Sequence, residues 1–462
     1  MSEVKIAFLG ATDTVTGSRF LVSSQQSKVL VDCGLFQGVK SVQRRNWDPL
    51  AVDAKEIDAV VLTHAHLDHS GYLPVLVKQG FYKEIYGTRY TNDITKVILR
   101  DSARLQVDDA KYAAKKGYSS YKDPRALYDL EDAEKAIDHL RERSFRAREQ
   151  ITPDAFVTFY PSGHILGSSF IVLEIAGKRL LFTSDLGRNN HPLLSNPDAP
   201  PHESYDAVIT ESTYGDRAHD TTPETFAKEI NDGIARGGSI LIPAFAVDRT
   251  EVILMALKEL IIAKKIPQIP IYVDSPMALS ALQLYREAIA SGSPEIREGI
   301  TARFSNQDPF DSGALHQMQT TEESKAINEI DHSAIVISAS GMATGGRVVH
   351  HLANLLPGAK NTVILVGYQA IGSRGRQLDD GATELKIHGK VVAVNAHITN
   401  VESFSVHADS DELVTWLGQV QSPKVAYVVH GETEGQQHMQ QRLTSELGWN
   451  VVIPKSNQVF EL

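Results

Sequence analysis

The chain carries His64-Ala65-His66-Leu67-Asp68-His69, four candidate metal ligands in six positions, directly after the apolar run Ala59-Val60-Val61-Leu62. With 17 histidines in 462 residues, isolated pairs are expected by chance. Three imidazoles and a carboxylate crowded at one strand end are not, because they repel or stay unsatisfied unless a cation organises them. Extended side chains alternate faces, so His64 and His66 point the same way and share one ion. Asp68 and His69 fall in the following turn, displaced towards a second ion, and Ser70-Gly71 is expected to open a helix over Tyr72-Leu73-Pro74-Val75-Leu76-Val77. Two neighbouring divalent ions make water a nucleophile at neutral pH and stabilise charge on a phosphoryl oxygen. The string therefore predicts a two-metal hydrolase.

Three further residues stand where apolar strands end: Asp32 after Val29-Leu30-Val31, His164 in Pro161-Ser162-Gly163-His164, and Asp185 in Leu181-Phe182-Thr183-Ser184-Asp185. Singly, each reads as a turn residue as readily as a site residue. Together, in the same part of the chain as the histidine string, they argue for one site.

At 462 residues the chain exceeds the usual size of a single core, so two domains are expected. The first 210 residues or so alternate short apolar runs with turns, from Lys5-Ile6-Ala7-Phe8-Leu9 to Leu180-Leu181-Phe182, as in a layered β-rich domain. Residues 93–150 are charged and helix-forming, an expected helical excursion. From Pro223 the pattern becomes strand then long helix, as in Ser239-Ile240-Leu241-Ile242 before Arg249 to Leu260, which predicts a parallel sheet with helical crossovers. After Lys386 short β runs return, and the terminal stretch is expected to rejoin the first domain. The single cysteine, Cys33, excludes an internal disulfide and thiolate metal clusters, so any metal rests on His and carboxylates. No apolar stretch is long enough to span a membrane and the first residues resemble no signal peptide, so a cytoplasmic location is expected. The net charge of -11 argues against a wholesale basic coat without excluding a local basic channel.

Asp32, the His64 to His69 string, His164 and Asp185 resemble, in type and order, the motifs of the metallo-β-lactamase superfamily. The resemblance implies that His64, His66 and His164 hold one zinc, Asp68 and His69 the other, with Asp185 bridging and Asp32 orienting a ligand and the metal-bound solvent. Glu211 in Thr210-Glu211-Ser212-Thr213, His407 in Val406-His407-Ala408-Asp409 and His430 in Val429-His430-Gly431 resemble motifs A, B and C of the β-CASP nucleases. That branch includes the mRNA 3′-end cleavage nuclease and ribonuclease J. Segments such as Ile242-Pro243-Ala244-Phe245, Asp274-Ser275-Pro276 and Gly367-Tyr368-Gln369 resemble its inserted domain.

What the resemblance implies is an α/β chain: an αββα metallo-β-lactamase sandwich over residues 1–211 and 386–462, interrupted by a parallel α/β β-CASP domain over 212–385. His430 becomes the remaining ligand of the second ion. His407, steered by Glu211, becomes the proton donor to the leaving oxygen; with Asp68 and Asp32 these are the expected catalytic residues. The expected cofactors are two Zn²⁺ per chain, with Mn²⁺ or Fe also suiting such ligands. The expected partner is single-stranded RNA, cut by a dimetal-activated hydroxide to leave a 5′-phosphate and a 3′-hydroxyl. Endonucleolytic or 5′-exonucleolytic action, a homodimeric state, a DNA-acting nuclease and a small-molecule hydrolase of the same superfamily stay open. Ser338, Ser340, Gly341 and Arg347 in the small-residue loop after Ala334-Ile335-Val336-Ile337, with Arg249, Arg374 and Arg376, are expected to grip phosphate in a cleft. The adjacent His350 and His351 form no metal pair, because neighbouring helical residues do not share a face.

Overall fold

The computed structural model describes residues 3–116, 124–218, 223–304 and 307–462. The chain divides into two compact units, Met1–Ala218 with Val406–Leu462, and His219–Ser405.

The first unit is built on two seven-stranded sheets. One runs, in spatial order, Gln458–Glu461, Lys5–Phe8, Phe20–Ser23, Lys28–Val31, Ala59–Val61, Glu84–Gly87 and Leu140–Glu142. The other runs Val451–Val452, Val425–Val428, Ala207–Thr210, Lys178–Phe182, Ser169–Ile175, Ala155–Pro161 and Glu149–Thr152. Strand alternation assigns each side chain its layer. Val29, Val31, Ala59, Val61, Leu180, Phe182, Ala207, Ile209 and Tyr427 meet in one core shared by both sheets. Their neighbours Leu30 and Val60 face outward onto the helices carrying Leu73, Leu76 and Leu99. Leu181, Val208, Ala426 and Val428 face the other way, onto Leu413, Trp416, Met439 and Leu443. The result is the expected four-layer αββα sandwich, and Cys33 lies buried within it with its thiol pushed up to about 12 by burial.

The second unit has a six-stranded sheet ordered Leu315–Gln317, Ile271–Val273, Ile335–Ser338, Ile240–Pro243, Thr362–Leu365 and His397–Asn400. Every pairing in it is parallel. Its central strands are continuous apolar runs, as a sheet covered on both faces requires.

Three expectations are corrected. The helical excursion ends at Asp138; Leu140–Glu142 and Glu149–Thr152 are strands, each an edge strand whose polar sequence lacks an apolar face. The return to the first unit comes at Val406, not near Lys386: Glu384–Ile387 and Lys390–Ala393 form a hairpin and His397–Asn400 extends the parallel sheet, all within the second unit. The helix expected to open at Ser70-Gly71 is preceded by a short one, Leu67–Ser70, so Asp68 and His69 already lie on a helical turn. No helix among the described residues is long and apolar enough to cross a membrane.

One buried group in the second unit carries a stability prediction. Glu251, fully buried in the helix Arg249–Ile262, has its carboxyl raised well above its ordinary value of 4.5 by burial and by the Asp248 carboxylate. The backbone N–H groups of Glu251 and Asp248 and the charge of Arg286 pull the other way. The folded chain therefore holds this proton more tightly than the unfolded chain. The stability it confers is complete below pH 4.5 and is lost, at about 1.4 kcal/mol per pH unit, as pH rises towards the raised value. Glu251→Gln is expected to unfold at a higher temperature than the wild type at pH 8, with the gap closing at pH 5 in calorimetry.

Candidate metal and catalytic centre

The residues expected at the site converge in the first unit from six separate strand ends. Ala59–Val61 delivers His64 and His66, Lys28–Val31 delivers Asp32, Ala155–Pro161 leads to His164, Lys178–Phe182 to Asp185, Ala207–Thr210 to Glu211 and Val425–Val428 to His430. Asp32, Ser184 and His430 hold φ of 57°, 49° and 50°, left-handed turns that few non-glycine residues adopt and that concentrate at functional sites.

Ligand atoms of His64, His66, His164 and Asp185 all lie within 4.8 Å of one another, and so do those of Asp68, His69 and His430. Asp185 reaches both sets: its Oδ2 stands 3.4 Å from His64 Nε2 and its Oδ1 stands 3.4 Å from His69 Nε2. The nitrogens face inward. His64 Nε2 and His164 Nε2 each lie 3.2 Å from His66 Nδ1, and His69 Nε2 lies 3.2 Å from His430 Nε2.

The outer nitrogens explain that orientation. His164 Nδ1 meets the Val406 carbonyl at 3.4 Å and His69 Nδ1 meets Asp32 Oδ2 at 2.8 Å, so both outer nitrogens carry the hydrogen and each inner one offers a lone pair when its ring is neutral. Asp32 is itself fixed by the Thr63 N–H at 2.8 Å and by the Thr63 hydroxyl.

Charge follows from the same packing. Burial holds His64 and His164 well below the ordinary imidazole range and His66 at about 4, so these rings are neutral. Burial also works against charge on His69, but Asp185 and Asp32 overcome it and lift that imidazole well above its ordinary range. The carboxylates thus demand positive charge at the position where Asp68, His69 and His430 meet. Asp185 Oδ1 is buried and makes no hydrogen bond of regular geometry among the described residues, with His69 Nε2 at 3.4 Å and His430 Nδ1 at 3.6 Å beside it. Inward lone pairs 3.2 Å apart and an unsatisfied buried carboxylate oxygen are the features of a cation site, and nitrogen and oxygen donors without thiolate fit it.

Beside this centre stands His407. Its Nδ1 is 3.2 Å from Glu211 Oε2, and Glu211 Oε1 accepts the Leu186 N–H at 2.6 Å. His407 packs against His164, ring centroids 4.4 Å apart, and its side chain keeps 17% exposure where Glu211 keeps 1%. It is a histidine outside the ligand sets, anchored by a buried carboxylate and partly exposed.

Several contributors carry no motif. Thr63 bonds Asp32, Ser184 Oγ lies 3.4 Å from His64 Nδ1, Thr213 Oγ1 lies 3.1 Å from His430 Nδ1, and Ser18 Oγ lies 3.3 Å from His69 Nε2. The only signal available for Thr63, Ser184 and Thr213 is that each hydroxyl stands within two residues of a site residue.

The residues of the second unit expected to grip phosphate have protein partners in this structure. Arg347 gives its guanidinium to Asp274 Oδ1 at 2.6 Å and to the Met318 and Gln319 carbonyls. Arg249 is buried and bonds the Val366 carbonyl, while Arg374 bonds the carbonyls of Ala343 and Thr344. Ser338 Oγ donates to Asp274 O, Ser340 Oγ accepts from Thr344 N, and Gly341 lies against Phe245, where a Cβ would come within 2.7 Å of the ring. Arg376 pairs with Asp380, and His351 donates to Asp274 whereas His350 stacks on His388. These groups tie the loops at the carboxyl ends of the parallel strands to one another.

Three family models match the chain: the metallo-beta-lactamase superfamily over residues 13–217, the Beta-Casp domain over 250–378, and the Zn-dependent metallo-hydrolase RNA specificity domain over 391–454. The chain is 36% identical to Ribonuclease TTHA0252 of Thermus thermophilus, over 93% of this chain and 94% of that protein. It is 32% identical to an RNase J-like protein of Methanocaldococcus jannaschii, over 93% of each. A crystal structure of a protein of unknown function from Enterococcus faecalis shares the fold, with a TM-score of 0.53 at 13% identity over 100% of both chains. With the ligand sets, the His407–Glu211 pair and these matches together, the chain belongs to the β-CASP family of the metallo-β-lactamase superfamily.

Proposed function

We propose that this metal-dependent hydrolase is a ribonuclease that cuts phosphodiester bonds of single-stranded RNA using two zinc ions, held by His64, His66 and His164 on one side, by Asp68, His69 and His430 on the other, and by Asp185 between them. When bound, such ions lower the proton affinity of water and neutralise charge on the attacked phosphoryl group. The chain's own residues supply the rest. Asp32 and Thr63 fix the His69 ring, Thr213 faces the outer nitrogen of His430, and Asp185 keeps negative charge between the two ligand sets.

The observation that carries a phosphodiesterase reading is the His407–Glu211 pair. An alkoxide leaving group needs a proton, and His407 Nε2 is the nitrogen that can give it while Nδ1 is held by Glu211. A thioesterase site, whose thiolate departs without a proton, has no need of such a donor. RNA in particular is supported by two relatives named as ribonucleases and by an RNA specificity model over 391–454. The inserted unit presents its Asp274, Ser338 and Gly367 loops at the carboxyl ends of parallel strands, where α/β sheets usually bind ligands.

Purified protein is expected to cleave 5′-labelled single-stranded RNA internally, leaving a 5′-phosphate and a 3′-hydroxyl, and to lose that activity to a chelator. DNA of the same sequence and duplex RNA are expected to be poor substrates. Equal cleavage of DNA would overturn the RNA assignment, and the absence of cleavage of either polymer would overturn the nuclease.

A further inference from the structure

Arg19 is 2% exposed and has no carboxylate partner among the described residues. An uncompensated buried cation is costly, so its retention needs a reason. Its guanidinium is spread over four contacts: Nε donates to Gly34 O at 2.8 Å, Nη2 to Asn46 Oδ1 at 3.3 Å, and the plane lies 3.8 Å from the Tyr72 ring centroid and 4.9 Å from that of Phe36. Asn46 extends the brace, accepting the Phe36 N–H at 2.9 Å and donating to Phe36 O at 2.8 Å.

What is braced is the segment Cys33 to Phe36, and that segment is fastened to one half of the metal centre. Cys33 N donates to His69 O at 2.7 Å, Leu35 N to Leu67 O at 2.9 Å, Tyr72 N to Cys33 O at 2.8 Å and Ser18 N to Asp68 O at 2.8 Å. A Cβ on Gly34 would lie 1.5 Å from Asp68 O, so the two backbones touch. All these bonds grip the turn that carries Asp68 and His69. His64 is held elsewhere, by the strand Ala59–Val61, Ser184 Oγ and the Ser169 N–H to Thr63 O.

We infer that Arg19 is a positioning residue for the second cation alone, setting Asp68 and His69 through the Gly34 backbone and the Asn46 amide, and that the first cation site does not depend on it. The inference rests on the two-cation reading above. A planar fork that donates in two directions while stacking on two rings is specific to arginine, so lysine, with the same charge, does not replace it.

The test is a zinc titration of the metal-free full-length chain with a competing chromophoric chelator, on wild type, Arg19→Lys, Asn46→Ala and His430→Ala, with thermal unfolding of each as a check on folding. Wild type is expected to take up two zinc ions, and His430→Ala marks the step that belongs to the second. Arg19→Lys is expected to weaken that step by about 10- to 100-fold, the usual effect of losing an outer support of a metal ligand, and to leave the other within about threefold. Asn46→Ala is expected to weaken the same step, and it carries the test alone if Arg19→Lys unfolds. Two wild-type steps in the folded variants, or equal weakening of both, would overturn the assignment with the two-cation reading intact. A wild type that binds no zinc overturns both.

Discussion

Asp185→Asn is expected to lower RNA cleavage by about 10³-fold or more and to leave less than two zinc ions per chain after dialysis, measured by elemental analysis beside single-turnover kinetics. Asp185 is 2% exposed and lies within 3.4 to 3.6 Å of nitrogens from His64, His69, His164 and His430, so its carboxylate is within reach of histidines of both ligand sets. Burial pushes its carboxyl up, but the imidazoles of His430, His69 and His64 overcome that cost and hold it well below the ordinary range. Asparagine keeps the volume and removes the charge, which separates loss of the ligand from a cavity. Losing a ligand shared by two ions withdraws several kcal/mol of charge stabilisation, and each 1.4 kcal/mol is a factor of ten in rate. Full activity with two zinc ions retained would exclude Asp185 as the shared ligand.

How much of this was legible in the chain depends on how local the signal is. His64, His66, Asp68 and His69 announce themselves because one string supplies both the ligands and the strand that delivers them. Core strands such as Lys28–Val31 and Lys178–Phe182 are equally plain, since both faces are buried and the runs are apolar. Edge strands are not: Leu140–Glu142 has one partner strand and charged residues, and it reads as a continuation of helix. The hairpin Glu384–Ala393 misleads in the opposite sense, because short β runs look alike whichever sheet they serve. The arginines show a deeper limit. Arg19, Arg249, Arg347 and Arg374 are the same residue type in sequence, and each ends on backbone carbonyls that only the folded loops bring within reach. A candidate phosphate ligand and a structural brace differ by tertiary partners that spacing does not encode.

His407→Ala is expected to lower kcat on RNA by about 10²- to 10⁴-fold, the usual contribution of a general acid, while zinc content stays at the wild-type level. The second half of that expectation follows from geometry: His407 belongs to neither ligand set, and it meets the centre through ring packing on His164 and through Glu211. Proton donation and mere packing are separated by the leaving group. On bis(p-nitrophenyl) phosphate, whose phenolate departs without protonation, His407→Ala is expected to retain most of the wild-type rate, whereas a packing defect would depress both substrates alike. Glu211→Gln probes the same proton from the other side. Its amide oxygen can still accept the Leu186 N–H, but an amide N–H facing His407 Nδ1 cannot accept that nitrogen's hydrogen. Cleavage of RNA should then fall less steeply than in His407→Ala, and the two substitutions together should cost little more than His407→Ala alone, since the carboxylate acts only through the ring it holds.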